Sequence, residues 1–232
     1  MNEIETISFE KTFEKCKLPV NQILTPEQQA LIMNNINIVN YNRKDIIVKQ
    51  YSASNHIYYI KKGIIKVSSE QRKGKNLVMK IDTAGSFVGL ISLLGGDSYD
   101  FTVTAVENCT LAQIHISTLK SVMLQNARFA LEISQLLSRH GLFLINRIAG
   151  LLYKQLPGRV ADLILYFADD IFCSNEFEFP VNRTELAELC GTTKESLIRT
   201  LSEFNHDKII ELERNRIRII SYDILKTLSR FG

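Results

Sequence analysis

The chain of 232 residues has no tryptophan, few cysteines and prolines, and no apolar run long enough to cross a membrane. The four cysteines, Cys16, Cys109, Cys173 and Cys190, form no Cys-x-x-Cys pair, so we expect free thiols in a reducing compartment. The first eight residues are acidic and lack the apolar core of a secretory signal. Because the chain lacks both a membrane-spanning run and a secretory signal, we expect a cytoplasmic protein with no membrane partner.

The chain also lacks a strongly basic composition. Its net charge is +3, and residues 153–232 carry 11 Lys and Arg against 13 Asp and Glu, a net charge of −2. The remaining residues hold 17 basic against 12 acidic side chains, or +5. Any nucleic-acid surface must therefore depend on where individual charges lie, because the bulk charge does not provide it.

Motifs of enzymes and metal centres are missing as well. The segment around His115 holds one histidine and no His-x-His pair, and no Ser/His/Asp or glycine-rich phosphate motif is present. An iron–sulfur cluster needs about four thiolates, usually close together, whereas Cys16 is the sole cysteine of the N-terminal segment. We expect no enzyme, no bound metal ion and no iron–sulfur cluster, while haem stays open because the chain has four lone histidines: His56, His115, His140 and His206.

The first half of the chain predicts one helix followed by a β domain. Thr25-Pro26-Glu27-Gln28 fits a capped helix start with proline at the first helical position. Residues 38–117 contain short β-branched and aromatic runs separated by glycines, which are typical of a small antiparallel roll or barrel.

Residues 118–152 change to helical spacing, with apolar side chains such as Phe129, Ile133 and Leu144 at steps of three and four. A helix this long, with an apolar stripe, needs a partner. It pairs with its copy in a dimer, or it packs within one chain, or it does both.

The segment from Pro180 to Tyr222 predicts two helices and a hairpin. Asn182 and Glu185 form a capping pair, Gly191 ends the first helix, and Thr192 or Thr193 begins the second. This helix–turn–helix is followed by a hairpin that turns at Arg214-Asn215 and alternates arginine with isoleucine, as a DNA-binding wing does. Arg214, Arg216 and Arg218 would point outward, toward backbone phosphates.

These features predict an α+β protein with three parts. Residues 1–117 form an N-terminal domain, a jelly-roll-like antiparallel β-roll with a leading helix. Residues 118–152 form a long dimerisation helix, and residues 153–232 form a C-terminal winged helix-turn-helix.

The stretch from Gly191 to Arg199, Gly-Thr-Thr-Lys-Glu-Ser-Leu-Ile-Arg, resembles the recognition-helix motif of the CRP/FNR family of transcription regulators. The order of roll, long helix and winged helix is also similar to that family over roughly residues 20–225. The resemblance implies a homodimer that binds near-palindromic double-stranded DNA and that contacts RNA polymerase if it activates. It places Lys194, Glu195 and Arg199 at the bases, and it implies phosphate contacts by Arg183, Thr193 and Ser196, to which we add Thr192, Arg214 and Arg216.

Each of these side chains also has a simpler role open to it. Glu195 follows Thr192 by three residues and can close a capping box, and Arg199 can pair with Glu195 or Glu203 on its own helix. Lys194 and the wing arginines can be solvated surface charges.

The resemblance implies that the β-roll of residues 1–117 is a sensor domain, and this domain departs from the family where members bind cyclic nucleotides. Those members carry a Gly-Glu-Leu segment and, about ten residues later, an Arg that neutralises the phosphate. Here the Glu position is Leu90 and the Arg position is Asp100, and a carboxylate repels a phosphate. We therefore expect no cyclic-AMP binding. Two alternatives stay open: the roll binds a different small-molecule effector, or side chains such as Leu90 and Phe101 fill its pocket. The candidate pocket residues are Gly89, Leu90, Ser92, Asp100, Phe101 and Thr102.

A predicted β-roll followed by helices fits three functions: a DNA-binding regulator, a small-molecule-binding roll whose C-terminal helices only pack, and a cupin-like enzyme. The paired helices, the wing and the missing catalytic motifs favour the regulator.

Overall fold

The computed structural model describes residues 8–16, 18–72 and 75–232. Residues 1–7, on which the expectation of no secretory signal mostly rests, lie outside that part. The chain divides into two compact units, one of Met1–Val67 with Asp82–Gly141 and one of Ser68–Ile81 with Leu142–Gly232. No helix of the described ranges is long and apolar enough to cross a bilayer.

The N-terminal part of the chain begins with helices and continues with strands. The helices are α1 (Phe9–Thr12), α2 (Val20–Ile23) and α3 (Pro26–Asn34). The predicted capping box of α3 is confirmed, because Thr25 and Gln28 exchange backbone-to-side-chain hydrogen bonds of 3.2 and 3.3 Å. The strands are β1 (Ile36–Tyr41), β2 (Ile46–Val48), β3 (His56–Lys62), β4 (Ile64–Arg72), β5 (Lys75–Thr83), β6 (Phe87–Val88), β7 (Thr102–Ala105) and β8 (Cys109–His115), with the short helix α4 (Leu90–Gly95) after β6.

These strands form two four-stranded sheets, in the orders β1-β8-β3-β6 and β2-β7-β4-β5. The recorded pairings of both sheets are antiparallel, so the predicted antiparallel roll is confirmed. Buried apolar residues of the first unit form two clusters. One contains Ile57, Tyr59 and Leu90, and the other contains Ile60, Val103 and Leu111.

The predicted helical stretch after the roll consists of two helices, α5 (Ile116–Gln125) and α6 (Ala127–Tyr153). The residue between them, Asn126, has extended backbone angles. Its side chain donates to the Ile23 carbonyl and to Gln28 at 3.0 and 2.9 Å, and it accepts from the Phe129 amide at 3.0 Å. These bonds stabilise the break, which local helical spacing does not reveal. The domain boundaries at residues 117 and 152 stay predictions.

The C-terminal unit continues with α7 (Leu156–Tyr166), a π-helical turn (Phe167–Phe172) and the strand β9 (Glu176–Glu178). Then follow α8 (Arg183–Cys190), α9 (Lys194–His206), β10 (Ile210–Glu213), β11 (Arg216–Ile219) and α10 (Tyr222–Phe231). The three strands form one sheet in the order β10-β11-β9. Phe167, Phe177 and Phe179 are buried and contact one another, with ring centroids 5.3 to 6.1 Å apart. This core supports the helix pair and the hairpin.

Candidate nucleic-acid interface

The first helix of the pair, α8, begins as its sequence predicts. The Asn182 side chain accepts from the amides of Thr184 and Glu185 at 2.9 and 3.1 Å, and the Glu185 carboxylate accepts from the Asn182 amide at 3.0 Å. The helix ends at Gly191, which adopts a left-handed φ of 60°. This left-handed conformation favours glycine; a Cβ there would lie 2.5 Å from the end of the Leu151 side chain, which would have to move.

Thr193, rather than Thr192, is the N-cap of α9, because its hydroxyl accepts from the Ser196 amide at 3.2 Å. Glu195 is therefore one position short of the capping-box position, and it does not close a capping box with Thr192. Leu197, Leu201 and Phe204 are buried. The helix is thus held by one face, and its N-terminal turns present the opposite face to solvent.

That exposed face carries the three side chains predicted to contact bases. Lys194, Glu195 and Arg199 are all exposed. Arg199 is 72% exposed, and its Nε lies 3.9 Å from Glu203, at the outer limit of an ion pair. Since exposed pairs of this kind contribute little, the Arg199 guanidinium can reorient toward a ligand.

The residues predicted to contact phosphates lie around the same helix start. Thr193 is exposed, and Thr192 and Ser196 are partly exposed. A shallow depression is lined by Asn182, Arg183, Thr184, Glu185 and Lys194, so the fold brings Arg183 and Lys194 to one opening. Hydroxyls, amides of a helix N-terminus and cations are the groups that bind phosphate oxygens.

The predicted wing is present as β10 and β11, which pair from Ile210 with Ile219 to Glu213 with Arg216. Arg214 is exposed at the hairpin turn with a φ of 54°. Arg218 donates from Nε to Glu211 at 2.8 Å, and Arg216 forms an ion pair with Glu176. Two of the three wing arginines thus have carboxylate partners on neighbouring strands, which sequence reasoning missed because the pairing depends on strand register.

Arg183 has a structural environment of its own. Its guanidinium lies over the Phe179 ring, 5.4 Å from the centroid, and donates to the Arg214 carbonyl. The group is partly buried, and this burial lowers the pKa of Arg183 from its ordinary value. Arg183 therefore connects the start of α8 to the turn of the wing.

The candidate effector residues of the roll lie on two adjoining segments. Gly89 has a left-handed φ of 89°, and a Cβ added to it would lie 3.3 Å from both the Tyr99 ring and the His56 carbonyl. Leu90 and Ser92 are buried, whereas Asp100 is exposed. The fold therefore places the segment after Gly89 against the segment that begins at Tyr99.

The remaining candidates in this region have contacts within the fold. The Phe101 ring meets the Tyr99 ring edge-on at 5.9 Å, and the Thr102 hydroxyl accepts from the Gln50 amide at 3.1 Å. Leu90 belongs to one buried cluster and Phe101 packs against the other. The six candidates are therefore spread over two packing regions of the roll.

The histidines and cysteines were candidate ligands for a metal ion or haem. His56 and His115 face each other on β3 and β8, with ring centroids 5.2 Å apart. Across the described ranges, no three His, Cys, Asp or Glu side chains are placed to hold a metal ion. Burial raises the pKa of the Cys190 thiol to about 12, so this side chain is a neutral core residue at physiological pH.

Two family models match the chain. Residues 38–126 match the cyclic nucleotide-binding domain, and residues 158–228 match the Crp-like helix-turn-helix domain. Together these matches cover most of the chain, in the same order as the roll and the helix pair.

Curated relatives align with this chain along most of their length. The cAMP-activated global transcriptional regulator CRP of Salmonella typhimurium is 21% identical over 182 residues, which are 77% of this chain and 87% of the relative. The CRP-like cAMP-activated global transcriptional regulator of Mycobacterium tuberculosis is 21% identical over 214 residues, 90% of this chain and 95% of the relative.

Solved structures share the fold. FixK2 from Bradyrhizobium japonicum superposes with a TM-score of 0.77 at 16% identity, covering 83% of this chain and 96% of that one. A transcriptional regulator of the CRP/FNR family from Eubacterium rectale gives 0.72 at 21% identity, covering 92% and 98%. The matching domains, their order and the capped helix pair lead to one conclusion: the chain belongs to the CRP/FNR family of transcription regulators.

Proposed function

We propose that this regulator binds DNA sequence-specifically as a homodimer, with Lys194, Glu195 and Arg199 contacting base edges in the major groove. The observation that carries the proposal is the exposure of these three side chains on the first turns of a helix whose opposite face is buried. In a helix-turn-helix, the N-terminal residues of the second helix are the ones that contact bases.

The chemistry of the three side chains fits this role. Lysine and arginine donate to the O6 and N7 acceptors of guanine, and a glutamate accepts from the amino group of cytosine. Thr192, Thr193 and Ser196 are assigned to phosphates around the helix start, together with Arg214 at the wing turn. Arg183 and Arg216 complete the phosphate set, and their contacts within the fold make them the weaker members.

Dimerisation is supported by α6. Leu142, Ile145, Ile148 and Leu152 are all well exposed and recur at helical spacing. Exposed apolar stripes of this length are uncommon on monomers and suit a second copy of the same helix. Two such chains would place their recognition helices about one DNA turn apart, on a near-palindromic operator. An activating complex would also contact RNA polymerase.

We further propose control by an effector of the roll that is not cyclic AMP. The two relatives described above are cAMP-activated, whereas this chain has Leu90 and Asp100 at the positions that the family's nucleotide-binding members use for the ribose and the phosphate. An effector regulates only if it binds the two arrangements of the dimer with different affinity.

Replacement of Arg199 tests the DNA proposal. An operator is first selected from random DNA with the wild-type protein, and Arg199→Ala is then compared with it in salt-titrated gel shifts. We expect a loss of about 1–3 kcal/mol in specific binding and little change on random DNA, because a base contact is lost and the backbone contacts remain. Lys226→Ala, which removes an exposed charge on α10, is the control and should bind as wild type. An equal loss on operator and random DNA would contradict base contact by Arg199.

A further inference from the structure

The C-terminal unit contains a cavity of about 250 Å³ formed by the end of α6 together with α7 and α8. Part of its wall is apolar and aromatic, from Phe143, Leu151, Leu163 and Tyr166. The cavity is distinct from the candidate effector segments, because its lining residues lie at positions 143–190 and the effector candidates lie at positions 89–102. Its size suits a small organic molecule rather than a nucleotide.

Two arginines line this cavity. Arg147 donates to the carbonyls of Met79 and Leu189 at 2.6 and 2.7 Å, and burial lowers its pKa. Arg159 donates from Nη1 to the Gly191 carbonyl at 3.0 Å. The Nε of Arg159 is buried and has no hydrogen-bond partner. Carbonyl groups satisfy some of these N–H donors. Because carbonyls carry no net charge, the positive charges of both guanidinium groups have no counter-charge.

Of the described residues that line the cavity, Asp162 alone has a carboxyl group. Lys154 donates to both Asp162 oxygens, at 2.8 and 2.7 Å, so this carboxylate is already paired. Cys190 also lies in the wall, and its thiol stays neutral at physiological pH. The cavity therefore has an excess of positive charge from Arg147 and Arg159.

Arg147 and Arg159 are partly buried, and a partly buried cation without a counter-charge is costly, as is a buried N–H donor without an acceptor. A bound carboxylate would remove both costs. Its two oxygens accept from the N–H donors of a guanidinium, and its negative charge neutralises the positive charge of that group. The apolar wall beside the two arginines would then cover the organic part of the same molecule.

We propose that this cavity binds a small organic carboxylate, with its anionic group at Arg147 and Arg159 and its apolar part against Phe143 and Leu163. The two arginines also bind the carbonyls of Leu189 and Gly191, at the turn between α8 and α9. The site is therefore built around the backbone that precedes the recognition helix.

Isothermal titration calorimetry with benzoate tests the site, with benzamide as a neutral molecule of nearly the same shape. We expect benzoate to bind the wild-type protein in the millimolar range or tighter, and benzamide to bind at least about tenfold more weakly, since it lacks the charge. Equal affinities for the two probes, or no benzoate binding, would overturn the proposal.

Variants then locate the binding. Arg159→Gln should weaken benzoate binding about tenfold or more, through the loss of one charged donor. Because Arg159 also binds the Gly191 carbonyl, a second variant that leaves every charge in place is needed. Gly150→Leu fills the cavity from α6: a Cβ at Gly150 makes ordinary contacts of 3.6 Å with Asp162 and 3.8 Å with Lys154.

Gly141→Leu is the matched control, since it lies on the same helix and a Cβ there meets nothing within 4 Å. We expect Gly150→Leu to abolish benzoate binding and Gly141→Leu to retain it. Benzoate binding that survives in Gly150→Leu would place the ligand elsewhere and overturn the assignment. None of these measurements uses DNA, so their failure would leave the proposed DNA-binding function untouched.

Discussion

Arg183 illustrates how one side chain can have two roles that the sequence does not separate. As a phosphate contact it would act mainly through its positive charge, which a lysine also carries. In the fold its guanidinium lies over Phe179 and donates to the Arg214 carbonyl, which requires a planar group with several donors. We therefore expect Arg183 to act mainly by positioning the wing turn.

The two roles predict different results for Arg183→Gln on a selected operator. A positioning role lowers affinity but leaves the slope of log K against log[salt] unchanged, whereas a lost phosphate contact reduces that slope by about one. Arg183→Lys should not restore affinity, because lysine lacks the planar group. A slope reduced by about one in Arg183→Gln, together with affinity restored in Arg183→Lys, would instead establish a phosphate contact.

The charge of Asp100 leads to a prediction about cyclic-AMP binding. Its carboxyl group stands where the family's nucleotide-binding members have an arginine, and it is exposed in this fold. Like charges repel, so a cyclic phosphate loses its main attraction at this position. We expect no heat of cyclic-AMP binding in calorimetry at micromolar concentrations. Saturable binding that Asp100→Ala leaves unchanged would show that the charge at this position is irrelevant.

At the scale of elements, helix ends are determined by bonds within a few residues. Asn182 accepts from two amides of α8, whereas Ser221, the N-cap of α10, has no side-chain capping bond. Asn182→Ala should therefore lower the free energy of unfolding by about 1 kcal/mol, and Ser221→Ala should change it little. Urea unfolding followed by circular dichroism measures both. Equal destabilisation by the two substitutions would show that the Asn182 bonds add nothing.

The division between α5 and α6 has a different origin. Asn126 interrupts the helical stretch through bonds to the Ile23 carbonyl and to Gln28, about one hundred residues earlier in the chain. Apolar spacing continues on both sides of the break, so the sequence predicts one helix. Only a long-range contact shows where that helix is divided.

At the scale of the whole molecule, the proposed dimer would cover the exposed apolar stripe of α6. Ile145 is 61% exposed on this helix, and a charge introduced there would be buried in a dimer without a partner. Ile145→Glu should therefore shift the protein toward the monomer in sedimentation equilibrium and weaken operator binding. Leu124→Glu, at a side chain of α5 that is 89% exposed, is the control and should leave the mass unchanged. A dimer that persists in Ile145→Glu would place the interface elsewhere.

The sequence by itself determined the features whose causes are local. These are the capping boxes at Thr25 and Asn182, the glycine turn at Gly191, the wing hairpin and the antiparallel strands of the roll. Each depends on residues within a few positions of one another or on periodicity along one element. The same local pattern carries the resemblance to the family.

Only the tertiary structure decided which distant side chains meet. It paired Arg216 with Glu176, brought Arg183 to the Arg214 carbonyl, and put Arg147 and Arg159 into one cavity with a single paired carboxylate. An arginine such as Arg147 within an apolar helical stretch was a signal that could have been noticed, although its acceptors could not be named. The physical reason is that such contacts depend on strand register and on how helices pack, both of which are set by burial over the whole chain.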